Sequence, residues 1–574
     1  MVGFVFLLMV QMFGVEAETD SKIDEKLLDS LIKGVMGCYP NTAAFAISAV
    51  KDGKVVINKS FGKANREKDI DMTQATRFTI GSITKGFTSY MAGKQVFEGL
   101  YGWKDKITEV FAKKNIKMSL QGDFRNNYCT IEDALIHRTG VKTYPWLLSE
   151  GRNISRAQWV TEYLPRFEEQ QEMRTGFYYN NWFYDMVGYL VELFGGKSYE
   201  ELVKETIFEP LGMTQTMFVS DEEYDELGEE EFSQAYQESY QETTLYPIPK
   251  HVMKYISSHN PAGGIVSTVG DMAKYMIGII DAVNGKQDSV LNSNVMKEIT
   301  QPKIWMTGFP SFLSRPTFPV TFKDSVYGYG HQLGTYRGYD YIHHGGATFG
   351  HYSYITTIPS LDMGVFSVIS GDGYLYKDIK NMQMLMQLYL FDVMMGIEEP
   401  WVDRDGACSF PDKWKSSPRR FPAPDQTAPE DRGVIEYRSF NTDRDTAIPD
   451  VERYLGQYTN PVFPTLVLKL EESVLRFEMG ESNGTVSMKP DGRMEIALNR
   501  PTDPLDLPEA DKTKAYLHFV STSDVADQKM ESLVFEYLEQ YKFQRSSVLN
   551  QSYSFLVLLG TAFFTLIRLN MSPL

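Results

Sequence analysis

The stretch Phe78-Thr79-Ile80-Gly81-Ser82-Ile83-Thr84-Lys85-Gly86-Phe87-Thr88 places a serine hydroxyl and a lysine amine three residues apart. If the segment opens a helix, positions i and i+3 share one face, so Ser82 and Lys85 lie within mutual reach. A serine hydroxyl is a weak nucleophile at neutral pH. A lysine amine can accept its proton when burial or nearby charge lowers the pKa of the amine. The spacing therefore predicts a nucleophile, Ser82, beside its base, Lys85.

Ser-Xaa-Xaa-Lys is a short pattern that occurs by chance in a chain of 574 residues. Its ordinary interpretation is a serine that caps a helix, followed by a lysine in solvent. A serine hydrolase also requires a second group that handles protons, donors for an oxyanion and a polar wall that holds the substrate. The catalytic hypothesis therefore depends on what the rest of the chain supplies.

The run Tyr178-Tyr179-Asn180-Asn181 offers two of the missing groups. One of its phenols is a candidate acid or base, and one of its amides is a candidate substrate anchor. Tyrosine and asparagine at the start of a helix are also common structural residues. The run by itself is therefore compatible with both interpretations.

The run His344-Gly345-Gly346-Ala347 lies on or beside a late strand, where small residues would let a substrate approach the backbone. The run is therefore a candidate segment for holding the substrate. The backbone amides of Ser82 and Ala347 are the candidate donors of an oxyanion site. The alternative interpretation is a glycine-rich turn with a capping histidine.

Taken in order, these runs resemble the motifs of the serine β-lactamase-related family of class C β-lactamases, D-alanyl-D-alanine carboxypeptidases and esterases. Ser82-Ile83-Thr84-Lys85 matches the family's Ser-Xaa-Xaa-Lys, Tyr179-Asn180-Asn181 its Tyr-Xaa-Asn and His344-Gly345-Gly346 its third motif. Segments 130–140, 208–213 and 261–271 also resemble connecting segments of the family in the right order. The resemblance covers about residues 40–395.

The resemblance implies an α/β (α+β) fold in which an antiparallel sheet is flanked by helices, with a helical lobe inserted after the Ser82 helix. It implies a serine hydrolase in which Ser82 attacks, Lys85 and Tyr179 move protons, and Asn181, His344 and Gly346 position the substrate. The expected substrate is a small-molecule or peptide ester or amide. Secreted animal members of the family include components of mineralised shell.

Two positions depart from the family pattern. Met173-Arg174 replaces the Pro-Gly that usually leads toward the second motif, which puts the shape of that loop in doubt. His344 replaces the usual lysine of the third motif, and a histidine of ordinary pKa is largely neutral at physiological pH. Recognition of a substrate carboxylate should therefore be weak, and we predict poor turnover of β-lactams.

Composition restricts the class of partner. The net charge of −18 argues against nucleic acid or an anionic membrane surface as the main partner, because both attract basic patches. No Cys/His cluster has zinc-ligand spacing, so we predict neither a metal nor another cofactor. The three cysteines, Cys38, Cys129 and Cys408, allow at most one internal disulfide, and the sequence leaves its pairing open.

The two ends of the chain predict an extracellular location. Residues 1–17 combine an apolar run with the small-residue ending Val15-Glu16-Ala17, which is typical of a signal peptide. The Asn-Xaa-Ser/Thr sites at Asn58, Asn153, Asn483 and Asn550 are candidate glycan acceptors. The apolar run in residues 546–574 has three interpretations: a lipid-anchor signal, a short membrane segment or a plain apolar tail.

The domain prediction follows from changes in composition. It consists of a hydrolase domain over residues 18–400, a linker rich in proline and charge over 401–450, and a small β-rich domain over 451–545. Within the hydrolase domain, the alternation around Asp52-Gly53 predicts a hairpin, and residues 329–333 are predicted as a strand. His137 ends a predicted helix, and we interpret it as a packed or capping histidine.

The acidic segment 219–242 leaves a second function open. Its clustered carboxylates are typical of a solvated surface insertion, and weak calcium binding is the alternative. A catalytically silent, calcium-associated matrix or binding protein that retains the fold is therefore the competing hypothesis. Retention of every catalytic side-chain type favours the enzyme.

Overall fold

The structure is a computed structural model. The residues it describes are 23–39, 41–144, 147, 154–238, 245–306, 322–371, 379–408, 448–480, 482–489, 494–498, 515–520, 530, 532–537 and 539–545. The chain divides into two compact units. The first comprises Met1–Thr143 and Asn153–Thr427, and the second comprises Tyr144–Arg152 and Ala428–Leu574.

Helices make up much of the first unit. In chain order they are α1 Glu25–Met36, α2 Thr84–Phe97, α3 Ile107–Ala112, α4 Asp123–Tyr128, α5 Ile131–Leu135, α6 Arg156–Gln158, α7 Trp182–Gly195, α8 Tyr199–Val203, α9 Glu222–Glu226, α10 Asn260–Gly263, α11 Val269–Asn284, α12 Ser293–Ile299, α13 Ile379–Met394 and α14 Arg404–Cys408. Short 3₁₀ or π-helical turns lie at 81–83, 159–163, 164–166, 204–208, 250–259 and 359–361.

The strands of the first unit are β1 Thr42–Lys51, β2 Lys54–Asn65, β3 Ile70–Asp71, β4 Phe78–Thr79, β5 Met217–Phe218, β6 Ala235–Glu238, β7 Leu245–Ile248, β8 Ile265–Ser267, β9 Ile304–Trp305, β10 Phe322–Tyr327, β11 Gln332–Tyr336, β12 Tyr339–Ala347, β13 His351–Ile358 and β14 Met363–Gly371. Nine of them form one antiparallel sheet in the order β3-β2-β1-β14-β13-β12-β11-β10-β9. The predicted antiparallel sheet flanked by helices is therefore confirmed.

The predicted hairpin around Asp52-Gly53 joins β1 to β2. Asp52 and Gly53 both have positive φ, 51° and 72°. This is the conformation of a type I′ turn, whose twist matches that of the flanking strands. A short Asp-Gly signal was enough to locate this hairpin because the turn depends on those two residues alone.

Helices cover both faces of the sheet. On one face, α1 and α13 share a hydrophobic core with alternate residues of β1, among them Phe45 and Ile47. On the other face, α11 packs on β1 and β14, where a side chain at Gly364 would touch Met276 and Val50. The Cys38–Cys408 disulfide joins the end of α1 to α14. Because each face is buried against a helix, β14 is buried along its whole length.

The strand predicted over residues 329–333 is wrong in position. β10 ends at Tyr327 and β11 begins at Gln332, and the intervening segment is a turn. Gly330 has φ +72°, and a Cβ there would lie 2.5 Å from the backbone oxygen of Lys85. Contact with the Ser82 helix therefore imposes a turn on residues whose aromatic content favours a strand.

The second unit is β-rich, as predicted. Its strands form a closed antiparallel barrel in chain order, and β15 pairs with β22 to close it. They are β15 Gly456–Thr459, β16 Leu466–Glu471, β17 Val474–Met479, β18 Ser482–Met488, β19 Met494–Leu498, β20 Ala515–Val520, β21 Ser532–Tyr537 and β22 Glu539–Arg545. Alternate residues such as Leu475 and Phe477 are buried, which is the two-residue period of a strand with one face in a core.

Several predicted segments lie outside the described residues: the signal sequence 1–17, the tail 546–574 and most of the linker 401–450. The first unit includes α14, which lies beyond the predicted domain boundary at residue 400. Among the helices that the structure describes, none has the length and apolar character needed to cross a bilayer.

The acidic segment 219–242 gives no support to calcium binding in its described part. Its carboxylates face cations of the protein: Lys204 contacts Asp221 at 2.8 Å, and Lys254 pairs with Asp225. Across the described residues, no group of three or more His, Cys, Asp or Glu side chains is placed to hold a metal ion. Residues 239–244 of the segment are not described.

Candidate active site

Ser82 lies on a tight turn that leads directly into α2. Gly81–Ile83 form one turn of 3₁₀ helix, and α2 begins at Thr84. Gly81 has φ +53°, and a Cβ there would lie 2.6 Å from the backbone nitrogen of Ala347. Only glycine accommodates both the left-handed conformation and this close approach. The sequence Gly-Ser at this point therefore brings the hydroxyl of Ser82 beside the end of β12.

Lys85 has the environment of a general base. Its Nζ is fully buried and donates to Ser82 Oγ at 2.9 Å and to the backbone oxygen of Ala262 at 2.7 Å. Burial lowers the pKa of Lys85 to about 7, although the charge of Asp185 acts in the opposite direction. An ammonium whose pKa lies near neutrality is partly deprotonated there and can accept the proton of a serine.

Tyr179 lies beside Lys85, and Asn181 follows it two residues later, just before α7. The Lys85 nitrogen lies 5.0 Å from the centre of the Tyr179 ring. Asn181 immediately precedes α7, and its Oδ1 is buried without a hydrogen-bond partner among the described residues. Because burying an unpaired amide oxygen costs free energy, such an atom suits a donor brought by a substrate.

Strand β12 brings the third motif to the same place. A Cβ at Gly346 would lie 1.9 Å from the backbone oxygen of Ile80, and Ser353 Oγ donates to that oxygen at 2.8 Å. The strand therefore passes directly over the turn that carries Ser82. The amides of Ser82 and Ala347 stay the predicted oxyanion donors, and the structure places their segments in contact.

His344 is buried on β12 with both ring nitrogens engaged. Its Nδ1 donates to the oxygen of Gly345 at 2.6 Å, and its Nε2 accepts from Tyr327 Oη at 3.1 Å. Burial holds the pKa of His344 well below its usual value, and the positive charge of Lys85 adds to this effect. The third motif therefore presents a neutral imidazole, as the replacement of lysine predicts.

Ser82, Lys85, Tyr179 and the end of β12 thus lie around one point, and Asn181 lies two residues beyond Tyr179. The sequence also matches the family model described as Beta-lactamase over residues 28–385. The chain belongs to the beta-lactamase family. The prediction of a serine hydrolase of the beta-lactamase type is confirmed at the level of the family.

Two curated relatives illustrate the family. The chain is 28% identical over 233 residues to Gigasin-6 of Magallana gigas, which covers 40% of the chain and 74% of that relative. It is 25% identical over 324 residues to Unguisins hydrolase ungD' of Aspergillus campestris, which covers 55% of the chain and 56% of that relative. The chain therefore spans about half the length of the fungal hydrolase.

Solved structures of the beta-lactamase fold superpose on most of the chain. The octameric penicillin-binding protein homologue from Pyrococcus abyssi matches with a TM-score of 0.53 and 20% identity, over 91% of the chain and 100% of that structure. A tyrosine-to-phenylalanine mutant of a class C beta-lactamase matches with a TM-score of 0.50 and 15% identity, over 67% of the chain and 99% of that structure. These similarities show the fold.

His137 is a packed histidine that lies beside the residues of this beta-lactamase-type site. It is buried with φ +56°, and its ring lies 4.2 Å from the ring of Tyr179. Its Nδ1 accepts from the amide of Asn180, so its Nε2–H faces Tyr327 Oη at 3.3 Å. The prediction of a packed histidine is confirmed, but no local pattern indicates its contact with Tyr327, which is 190 residues away.

Arg174 explains how the loop before the second motif tolerates the loss of Pro-Gly. Its φ is +70°, a left-handed conformation that glycine adopts more readily than other residues. Its guanidinium donates to both carboxylate oxygens of Asp133, at 3.0 and 2.7 Å, and to the oxygen of Tyr128 at 2.9 Å. This ion pair offsets the strain of a left-handed arginine.

Proposed function

We propose that this chain is a secreted or surface-held serine hydrolase that forms an acyl-enzyme on Ser82 with an uncharged ester, amide or peptide substrate. The observation that carries the proposal is the hydrogen bond of 2.9 Å between Lys85 Nζ and Ser82 Oγ, with Lys85 fully buried at a pKa of about 7. A lysine in solvent would stay protonated at neutral pH and could not serve as the base.

The proposed reaction follows from this arrangement. Ser82 Oγ attacks the acyl carbon as its proton passes to Lys85, and the amides of Ser82 and Ala347 donate to the developing oxyanion. The bond to the leaving group breaks as Tyr179 delivers a proton to it, and Lys85 restores the proton of Tyr179. Water then attacks the acyl carbon as its proton passes to Lys85. The bond from that carbon to Ser82 Oγ breaks, the acid product leaves, and Lys85 returns the proton to Ser82 Oγ.

The substrate class rests on the third motif. A lysine there would pair with a substrate carboxylate, whereas the imidazole of His344 is neutral and both of its nitrogens already have partners within the protein. Asn181 supplies a buried amide oxygen that can accept from a substrate N–H. A relative named as a hydrolase of unguisins supports acyl hydrolysis.

The proposed location rests on the predicted signal sequence and on the Cys38–Cys408 disulfide. Disulfides form and persist mainly in oxidising compartments, which supports secretion. The candidate glycan sites agree with this location. The fate of residues 546–574 decides between release and attachment, and mass spectrometry of the C-terminus of protein from secreting cells tests it.

Labelling with a fluorophosphonate probe tests the proposed function. Wild type should form a covalent adduct that Ser82→Ala abolishes and that Ser293→Ala, a serine at the start of α12, retains. Tryptic mass spectrometry should locate the adduct on Ser82. Absence of an adduct from folded wild type would favour the competing hypothesis of a catalytically silent matrix or binding protein.

A further inference from the structure

Asp185 and His259 form a buried carboxylate–imidazole pair close to the segment that contacts Lys85. Asp185 Oδ2 accepts from His259 Nδ1 at 2.7 Å, and both side chains are almost completely buried, with 1% and 4% exposed. The His259 ring packs edge-on against Trp182 at 4.6 Å and near Trp159 at 5.7 Å. Burying a carboxylate this deeply costs free energy unless a hydrogen-bonded partner compensates its charge.

The chain segment His259–Ala262 connects this pair to Lys85. His259 is the last residue before α10, and Ala262 of that short helix supplies the backbone oxygen that accepts from Lys85 Nζ. Asp185 lies on α7, one turn after Asn181. The hydrogen bond of the pair therefore fixes α10 relative to the helix that follows the second motif.

Other contacts hold the same turn and leave little freedom in it. Asn260 Nδ2 donates to Glu200 and Ser220, both at 2.7 Å, and the oxygen of Pro261 accepts from Thr88 at 2.6 Å. Where α10 meets α7, a Cβ at Gly188 would lie 2.2 Å from Pro261. The position of the Ala262 oxygen is therefore determined by a set of buried contacts.

We propose that Asp185 and His259 are positioning residues for Lys85: their pair fixes the turn that presents the Ala262 oxygen to the lysine amine and supplies a negative charge within electrostatic range of that amine. This role rests on the proposed function, in which Lys85 is the base. Neither residue contacts the reacting atoms.

The electrostatic effect has a definite sign. The charge of Asp185 raises the pKa of Lys85 against the effect of burial. The other charged or titratable groups around Asp185 are His259, Arg156 and Tyr199. From the site side, His137 and His344 face Lys85, and both are held neutral by burial. Removing the carboxylate should therefore lower the pKa of Lys85 and extend activity to more acidic pH.

Two measurements on the full-length protein test this role. The acidic limb of kcat/KM against pH reports the base of the free enzyme. An NMR titration of ¹³Cε-labelled lysine, assigned with Lys85→Met, reports the pKa of Lys85 without any substrate. Asp185→Asn should move both to lower pH by about one pH unit.

A matched control separates this effect from a general loss of packing. Asp392 is another completely buried carboxylate of the first unit, where it accepts from Tyr336 and Arg337. Asp392→Asn should leave the Lys85 titration where it is in wild type. An unchanged titration in Asp185→Asn, or an equal shift in Asp392→Asn, would overturn the proposal.

A second pair of variants covers the case in which Asp185→Asn does not fold. His259→Gln keeps a donor for Asp185, whereas His259→Leu removes it. We expect kcat/KM of His259→Leu to fall at least tenfold and that of His259→Gln to stay within about threefold of wild type. Equal losses in the two variants would show that the ring only fills space.

The two proposals fail in different ways. If folded wild type forms no adduct on Ser82, the proposed hydrolase function is contradicted. The Lys85 titration would still report the effect of Asp185 on the pKa of Lys85. A normal Ser82 adduct together with an unmoved Lys85 titration would remove only the role of the Asp185–His259 pair.

Discussion

His344 shows at the scale of one residue how this chain departs from beta-lactamases that carry a lysine in the third motif. The His344 side chain occupies the position of that lysine but carries no positive charge. Its Nδ1 is tied to the oxygen of Gly345, and its Nε2 is tied to Tyr327. The selectivity of the site should therefore change with one substitution.

We expect His344→Lys to raise kcat/KM for an ester that carries a carboxylate on its acyl group by about tenfold relative to the matched neutral ester. One charge-assisted hydrogen bond, about 1.4 kcal/mol, accounts for that ratio. The measurement is the ratio of kcat/KM for the two esters in each protein. His344→Gln, which adds no charge, is the control. Equal changes for both esters in His344→Lys would contradict the assignment.

Arg174 allows the strain of its left-handed backbone to be measured apart from its ion pair. Arg174→Gly and Arg174→Ala both lose the bonds to Asp133, but only alanine is strained at φ +70°. We therefore expect Arg174→Ala to have a free energy of unfolding about 1 kcal/mol below that of Arg174→Gly. Urea unfolding of the two variants measures the difference. Equal stabilities would mean that the loop relaxes when the arginine is removed.

At the scale of elements, the site depends on β12 passing directly over the turn that carries Ser82. Gly81 and Gly346 permit this approach, and Ser353 of β13 ties the turn to the sheet through the oxygen of Ile80. The register of β12 against β13 pairs Gly346 with Ser353, so the glycine and the hydroxyl meet the same carbonyl. Hydrogen bonds of the sheet thereby fix the distance between the two predicted oxyanion donors.

Gly346→Ala should separate β12 from the nucleophile turn. Because the added Cβ would lie 1.9 Å from the oxygen of Ile80, one of the two backbones must move. We expect kcat to fall by about a hundredfold, the loss seen when an oxyanion donor is displaced. Steady-state hydrolysis of a neutral ester measures it.

Gly345→Ala is the matched control for this prediction. It lies on the same strand, but the atoms nearest to its added Cβ would belong to the ring of Tyr354, at 3.0 Å and beyond, and this ring can shift. Its kcat should stay within about threefold of wild type, a cost of less than about 1 kcal/mol. Similar losses in both variants would point to general damage of β12.

At the scale of the whole molecule, one covalent link connects distant parts of the first unit. Cys38 and Cys408 lie 370 residues apart, and their disulfide joins α1 to α14. Cys129 is a buried free thiol, whose pKa burial raises far above its usual value. The thiol left over from the odd count of cysteines is therefore shielded from exchange.

Reduction should destabilise the protein through this link alone. We expect dithiothreitol to lower the free energy of unfolding of wild type by about 2–4 kcal/mol, the usual contribution of a disulfide that closes a long loop. Thermal unfolding with and without reductant measures the effect. The double variant Cys38→Ala/Cys408→Ala should show the lowered stability in both conditions. An unfolding temperature of wild type that does not change with the reductant would contradict this expectation.

Much of this organisation could be predicted from the sequence. Local signals placed the Asp52-Gly53 hairpin, the late strand that carries His344 and the β-rich segment beyond residue 450. The order of three short motifs placed Ser82, Lys85, Tyr179, Asn181 and His344 in one site. The strand at 329–333 failed because the propensity of its aromatic residues is weaker than the contact that Gly330 makes with α2.

The sequence by itself determined which groups can perform chemistry, because residue type and motif spacing fix a nucleophile, a base and a neutral third motif. Only the tertiary structure decided whether Lys85 can act as a base, since its pKa depends on burial and on the charge of Asp185, 100 residues away. It also decided that Asp185 meets His259 and that Gly346 meets Ile80. The physical reason is that desolvation and close backbone approach depend on distances between segments remote in sequence, and no local pattern encodes those distances.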